Sequence, residues 1–305
     1  MNGFKALAFF VFSFSKFYFL SGQTFKPLSS EERTAIQKYE DTLATLARGI
    51  LNSELPENRM FACHQFIPTL VHALKINNSF KYHFPRLENI SMIYPPDSTF
   101  RIFSWQLQIN PGEYKYYGAI QYNQPNLRLT PLVDRSETIP DATLFSSDAD
   151  KWYGVVYYNI KSFPLSNKET GYLLFGYDGY TINEHRKIID NLSFKNGQPV
   201  FGSSIFKYGK EGMKNRVVYQ YDVNAAIRVN YDENESMVVC DHLMVNPGIL
   251  SKEGKTMVPE GSYEGFKLDK GVWKYIEEVF PSNSADNQRA YTTKPGKAKE
   301  TKPKN

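Results

Sequence analysis

A chain of 305 residues with 41% hydrophobic residues can hide roughly 70–75% of its unfolded surface, so it needs no metal or disulfide staple to stand. Its net charge of +4 comes from the two ends: Lys5 and Lys16 lie in residues 1–22, and Arg289 with five lysines faces Asp286 and Glu300 in residues 286–305. The body between is slightly acidic, which excludes a basic nucleic-acid face on the folded part.

Lys5, the nearly unbroken apolar run Ala6–Ser15, Phe17–Leu20, and the small polar Ser21-Gly22-Gln23 have the plan of an export signal ending near residue 22. The run is shorter than the ~20 residues of a membrane span, and Lys16 interrupts it. An uncleaved N-terminal anchor is the alternative. After signal removal no integral membrane span is expected.

Ser29-Ser30-Glu31-Glu32 predicts a helix start, with a hydroxyl cap and acids in the first turn. Ile36, Tyr39, Leu43, Leu46, Ala47, Ile50 and Leu51 then recur at three- and four-residue spacing, which predicts an amphipathic helix. Pro56 with Asn58 marks a turn into a second helix, with Phe61, Phe66, Leu70, Val71 and Leu74 inward and a bend or restart at Pro68. The two form a helical hairpin, over residues 23–78, whose apolar face needs the following sheet.

From Phe84-Pro85 the period changes. Strands are expected over Asn89–Tyr94, Phe100–Ile109 and Tyr114–Tyr122, then a short edge strand over Leu127–Leu132, since Pro131 cannot donate to a central ladder. Asp134–Asp150 reads as an exposed polar connection, and Trp152–Ile160 resumes the sheet. Between Gly171 and Met244, short β-branched and aromatic runs are broken by Asp178-Gly179, Asn196-Gly197, Gly209 with Gly212, and Asp232 to Asn234, which is hairpin punctuation. A loop over Asn246–Gly261 and a closing hairpin at Asp269-Lys270-Gly271 end the β domain, residues 79–282. The tail, 283–305, is basic and has the composition of a disordered segment.

The fold class is therefore mainly β (α+β): an antiparallel meander of about a dozen strands, curled as a barrel or a sandwich, preceded by a helical hairpin. Connections this short exclude the crossovers of parallel sheets. No fixed repeat length favours a propeller.

Ile188–Gly202, Tyr231-Asp232-Glu233 leading into Asp241-His242-Leu243, and Tyr263–Lys267 with Gly271 and Trp273 carry a resemblance. Over roughly Phe80–Phe280 the chain resembles an uncharacterised family of exported bacterial β-sheet proteins with no known activity. The resemblance implies a periplasmic or extracellular protein of the bacterial envelope. It also implies Trp where Tyr177 stands and Phe where Cys240 stands, which counts against a structural bridge at Cys240.

Cys63 and Cys240 are the only cysteines. In an oxidising compartment they could bridge, but each also suits a small buried apolar slot, and the buried-thiol reading leads. Neither Cys-x-x-Cys nor His-x-x-x-His spacing occurs, so no metal or other cofactor is expected. Asp241-His242 ends a strand, although adjacent strand residues point to opposite faces. Asp178 with Gly179 and Asn183-Glu184-His185 gathers oxygen ligands in one loop, yet lacks the calcium-loop pattern. Trp105, Trp152 and the run Tyr114, Tyr116, Tyr117 and Tyr122, with Tyr157 and Tyr158, could offer a stacking face. These residues, Asp178, Asp241, His242, Trp105 and Trp152, are the ligand-binding candidates; no catalytic residue is assigned. The expected role is a non-catalytic binding or envelope-associated module for a glycan, peptide or envelope component. The alternative is a hydrolase with an acid or acid–His site built from loops.

Overall fold

The computed structural model describes residues 27–280, apart from 168, 211, 252 and 253. The signal segment 1–22 and the tail 283–305 expected above lie outside the described residues.

Helix α1 (Ser30–Asn52) begins with a complete capping box: Ser29 accepts from the Glu32 amide, and the Glu32 side chain accepts from the Ser29 amide. Helix α2 (Pro56–Leu74) starts with Pro at its first turn and runs unbroken through Pro68, so the expected restart does not occur. Arg59, nearly buried, closes the hairpin: its Nη1 donates to the carbonyls of Ser53 and Glu54 (both 2.8 Å), and its Nε donates to Gln108 (2.8 Å). Ile36, Leu43, Ala47, Ile50, Phe66, Leu70 and Leu74 are buried as predicted, whereas Tyr39, Leu51 and Phe61 are 37%, 43% and 65% exposed. Position 61 falls on the outer arc once Ala62, Cys63 and Phe66 set the buried one.

Three sheets follow. The first takes β1 (Ser91–Ile93), β2 (Phe100–Asn110), β3 (Glu113–Tyr122) and β4 (Leu129–Val133) in chain order. β4 is an edge, and Pro131 lies opposite Ala119, as its missing donor requires. The second, in the order β5-β9-β8-β7-β6, contains β5 (Ser147–Asp148), β6 (Val156–Pro164), β7 (Thr170–Asp178), β8 (Glu184–Lys195) and β9 (Gln198–Phe201). β10 (Phe206–Tyr208) and β11 (Gly212–Lys214) open the third, and β12 (Val217–Asp222) returns to pair with β8. β13 (Val229–Asp232), β14 (Met237–Ser251), β15 (Gly254–Asp269) and β16 (Val272–Ile276) complete the third.

Every pairing between strands is antiparallel except β10 with β16. Among the described residues each sheet runs from one edge to another and none closes on itself, so the barrel option gives way to sandwich-like stacking. The stretch expected to be a loop over Asn246–Gly261 is instead the outer half of the β14–β15 hairpin, where Leu243 pairs Pro259 and Val245 pairs Met257.

Three cores separate four layers. The helices cover one face of the first sheet through Phe103, Trp105 and Leu107. The opposite face, with Phe100, Ile102 and Ile120, meets Tyr172, Leu174, Ile188 and Leu192 of the second sheet. The other face of that second sheet, with Leu173, Phe175 and Ile189, meets Val229, Val238, Phe266 and Trp273 of the third. Period-two alternation thus sends neighbouring residues of β7 into different cores, which is why Tyr172–Phe175 reads as an unbroken apolar run. Among the described residues no helix is long and apolar enough to cross a membrane.

Phe175→Ala should lower the unfolding free energy by about 3–5 kcal/mol, because a fully buried ring leaves a cavity. Phe61→Ala should change it by less than about 0.5 kcal/mol. Urea denaturation of both variants checks the assignment; equal losses would mean that Phe61 packs on the core.

Candidate functional site

The rows of side chains that fill the core between the first and second sheets change character at one end. On β3 the row Tyr122, Ile120 and Gly118 continues to Tyr116 and Tyr114. On β7 the row Tyr172, Leu174 and Gly176 continues to Asp178. On β8 the row Leu192, Asp190 and Ile188 continues to Arg186. Where apolar residues stop, the layers part into a cleft of about 590 Å³, lined by Tyr114, Tyr116, Tyr153, Asp178, Tyr180 and Arg186 on one part of its wall. The segment Asp134–Thr143 contributes most of the remainder. That segment is the exposed polar connection expected from the sequence, and it also forms a wall of the cleft.

Asp178 forms the floor. The Tyr116 hydroxyl donates to its Oδ1 (2.6 Å), the Tyr180 amide donates to the same oxygen (2.9 Å), and the Tyr153 hydroxyl donates to Oδ2 (3.2 Å). Tyr116 Oη accepts in turn from the Gly179 amide (2.8 Å), and Tyr153 Oη accepts from Arg186 Nη1 (3.1 Å). Arg186 is held from its other side by Gln220 Oε1, which accepts from Nε (3.0 Å) and Nη2 (2.8 Å), while its Cζ lies 3.3 Å from the centre of the Tyr180 ring. Tyr180 itself sits at φ 51°, in the left-handed region that a bulky side chain rarely adopts. Strain of this kind gathers at functional sites.

A second carboxylate, Asp134, accepts three bonds from its own side of the cleft. Its Oδ2 accepts from the Tyr116 amide (2.9 Å), and its Oδ1 accepts from the amide (3.0 Å) and hydroxyl (2.6 Å) of Ser136. Gly154 permits this close approach: a Cβ there would lie 2.5 Å from Asp134 Cγ and 2.6 Å from Tyr116 Cβ.

Burial pushes the Asp178 carboxyl above its ordinary value of 3.8, against the pull of Tyr116, Tyr180, Arg186 and Tyr153. Burial, with Asp178 nearby, pushes Tyr153 up to about 12 and raises Tyr116 as well, so both phenols stay protonated donors at neutral pH.

The other sequence candidates lie elsewhere. Asp241 accepts from the Arg228 amide, while His242 turns to β15: its Nδ1 lies 2.6 Å from Glu264 Oε2 and its Nε2 lies 3.8 Å from Glu260 Oε1. The two neighbours therefore serve different partners, as alternation requires, with a register irregularity between Asp241 and Leu243. Glu264 is occupied further by the hydroxyls of Tyr219 (2.6 Å) and Tyr275 (2.9 Å). Trp105 is buried, stacks on Tyr117 with 5.7 Å between centroids, and donates to Cys63 Sγ (3.5 Å). Trp152 is fully buried and donates to Tyr157 Oη (2.9 Å). Neither indole offers a face to solvent. Cys63 and Cys240 are free and buried in separate cores, and burial raises both thiols. Among the described residues no group of three or more His, Cys, Asp and Glu side chains is arranged to hold a metal ion.

Of the sequence candidates, Asp178 alone lines this cleft. Tyr114 and Tyr116 were visible only as members of an aromatic run. Asp134 and Arg186 carry no local signal; only the meeting of the first two sheets brings them to one place. Comparison with protein families, curated proteins and solved structures finds no match to this chain.

Because the folded state binds the Asp178 proton more tightly than the unfolded chain does, its stabilising contribution is present below 3.8 and lost as pH rises through the elevated value. The unsubstituted protein should therefore lose stability relative to Asp178→Asn as pH rises across that window, measured by urea unfolding at stepped pH. A trend of the opposite sign would mean that the phenol bonds outweigh burial.

Proposed function

We propose that this chain is an exported, non-catalytic binding module whose ligand seats in the cleft between the first and second sheets. The observation that carries the reading is the state of the acids: Asp178 and Asp134 each accept three hydrogen bonds from the protein. Three of the roughly four lone-pair sites on each carboxylate already point at protein donors, which leaves little for a general base or nucleophile to aim at a substrate. Their bonds instead fix Tyr116 on β3 and Tyr153 in the segment before β6, which in turn accepts from Arg186 of β8, and a rigid, preorganised wall lowers the entropy lost on binding. Support for export comes from the apolar Ala6–Ser15 run behind Lys5 and from the family resemblance. The ligand is a glycan, peptide or envelope component.

A hydrolase is the second reading, favoured by the raised pKa of Asp178 and by the His242–Glu264 pair. The pair lies on the third sheet, away from the residues that line the cleft.

Glycan, peptide and envelope-fraction panels should reveal saturable binding to the purified chain. Tyr114→Ala should weaken that binding by about tenfold, as expected when a partly open aromatic ring is lost from a binding wall. Absence of binding throughout the panels would defeat the proposal. So would turnover of ester, glycoside or peptide substrates that vanishes in Asp178→Asn.

A further inference from the structure

The charge and the rim of the cleft narrow the ligand class, on the premise that the cleft is the binding site. Five carboxylates line it (Glu113, Asp134, Glu137, Asp141 and Asp178), against the cations Lys115 and Arg186. Arg186 is spent internally, because its Nη1 reaches the Tyr153 hydroxyl that donates to Asp178. Asp141 stays ionised: the Thr143 hydroxyl (2.7 Å) and amide (2.8 Å) hold its carboxyl below the usual range. An anionic ligand would meet a net negative field, and a cationic one would be drawn in.

A second and independent feature is apolar. Ile139 and Val218 lie inside the cleft. Two of the lining loops each carry an aliphatic side chain into solvent: Leu144, next to Thr143, is 60% exposed, and Ile182, two residues beyond Tyr180, is 62% exposed. Exposed aliphatics beside a polar cavity mark a surface that some partner covers. A sugar is disfavoured, since it needs open ring faces for stacking. Tyr116 and Tyr153 are buried, the face of Tyr180 is taken by Arg186, and only Tyr114 keeps a partly open ring.

We infer that the cleft takes a peptide segment bearing a lysine or arginine, with the cation among the carboxylates and flanking apolar side chains on Leu144 and Ile182. The volume, about 590 Å³, suits one long side chain and a few residues of backbone.

The test uses the full chain and four probes: acetyl-Leu-Lys-Leu-amide, its norleucine analogue, its glutamate analogue, and chitotriose. Affinity is read by calorimetry, and location by the methyl NMR signals of Ile139 and Val218. The lysine peptide should shift both methyls and bind about tenfold more tightly than the norleucine analogue, the difference shrinking between about 0.02 M and 0.3 M salt. Glu137→Gln with Asp141→Asn, which keeps the turn at Asp141 able to accept its hydrogen bonds, should erase most of that preference and leave the norleucine peptide unchanged. Equal affinity for the lysine, norleucine and glutamate peptides would overturn the inference. Chitotriose shifting the methyls where no peptide does would overturn it too, while leaving the binding-module reading intact. If no probe moves either methyl, the inference fails, and the broader reading then stands or falls on its own panels.

Discussion

The second sheet is buried on both faces, and this constraint shapes the rest of the molecule. A sheet with one wet face can leave its polar side chains to water, but a sheet between two others cannot. Each polar group on its strands must find a partner inside or stand at an end. Asp190 and Arg216, both with fully buried side chains, meet at 3.0 Å, and Asp190 also accepts from Tyr157 and from the Asn191 amide. Asn191, on the opposite face, bonds the backbone of Ser203 and Asn215. A buried ion pair is weak evidence for stability, because desolvation offsets its attraction, yet removing one partner strands the other. The pair joins β8 to the residue that leads into β12.

The cleft follows from the same geometry. Its floor residues continue the rows that make the core, so the strands position Tyr116, Asp178 and Arg186 as firmly as they position Ile120, Leu174 and Ile188. Sites on paired strands hold their geometry better than sites on loops. The rim is different in kind. Glu137, Asp141 and Leu144 belong to an irregular segment whose side chains face solvent, where substitutions alter charge and contact with little effect on the core.

Much of the fold was legible because its signals are local. Ser29 and Glu32 form the cap that their spacing predicts. Asn196 and Gly197, at φ 53° and 75°, make the tight turn between β8 and β9 that an Asn-Gly pair between strands requires. Pro131 lies on an edge. What failed was information held by other parts of the chain. Asn246-Pro247-Gly248 looks like the start of a loop, but pairing with the strand beyond residue 253 overrides these breakers, and Pro259 is tolerated in a two-stranded ribbon whose outer side has no ladder to fill. Phe61 has the composition of a core residue and the wrong angle. At the site, alternation tells which residues share a face, and it does not tell which face of another sheet lies opposite. Asp178 stood out in the sequence because it sits in a turn rich in acids and amides; Asp134 and Arg186 join it only through packing.

The irregular wall of the cleft is also tied directly to the buried pair. Arg216 Nη2 donates to Asp190, and its Nη1 donates to the Ala142 carbonyl (2.7 Å), within the segment that lines the cleft. The Asn215 and Arg216 amides both reach the Thr143 carbonyl, and the Asn215 side chain reaches Leu144. A segment with little regular secondary structure of its own is thereby held by backbone bonds to a residue anchored in the core. One guanidinium links the two: it neutralises Asp190 inside the sandwich and fixes the position from which Asp141 and Leu144 face the opening. The shape of the opening is therefore set by the same electrostatic requirement that the doubly buried sheet imposes, since a carboxylate in that layer demands a cation, and the cation brings the wall with it.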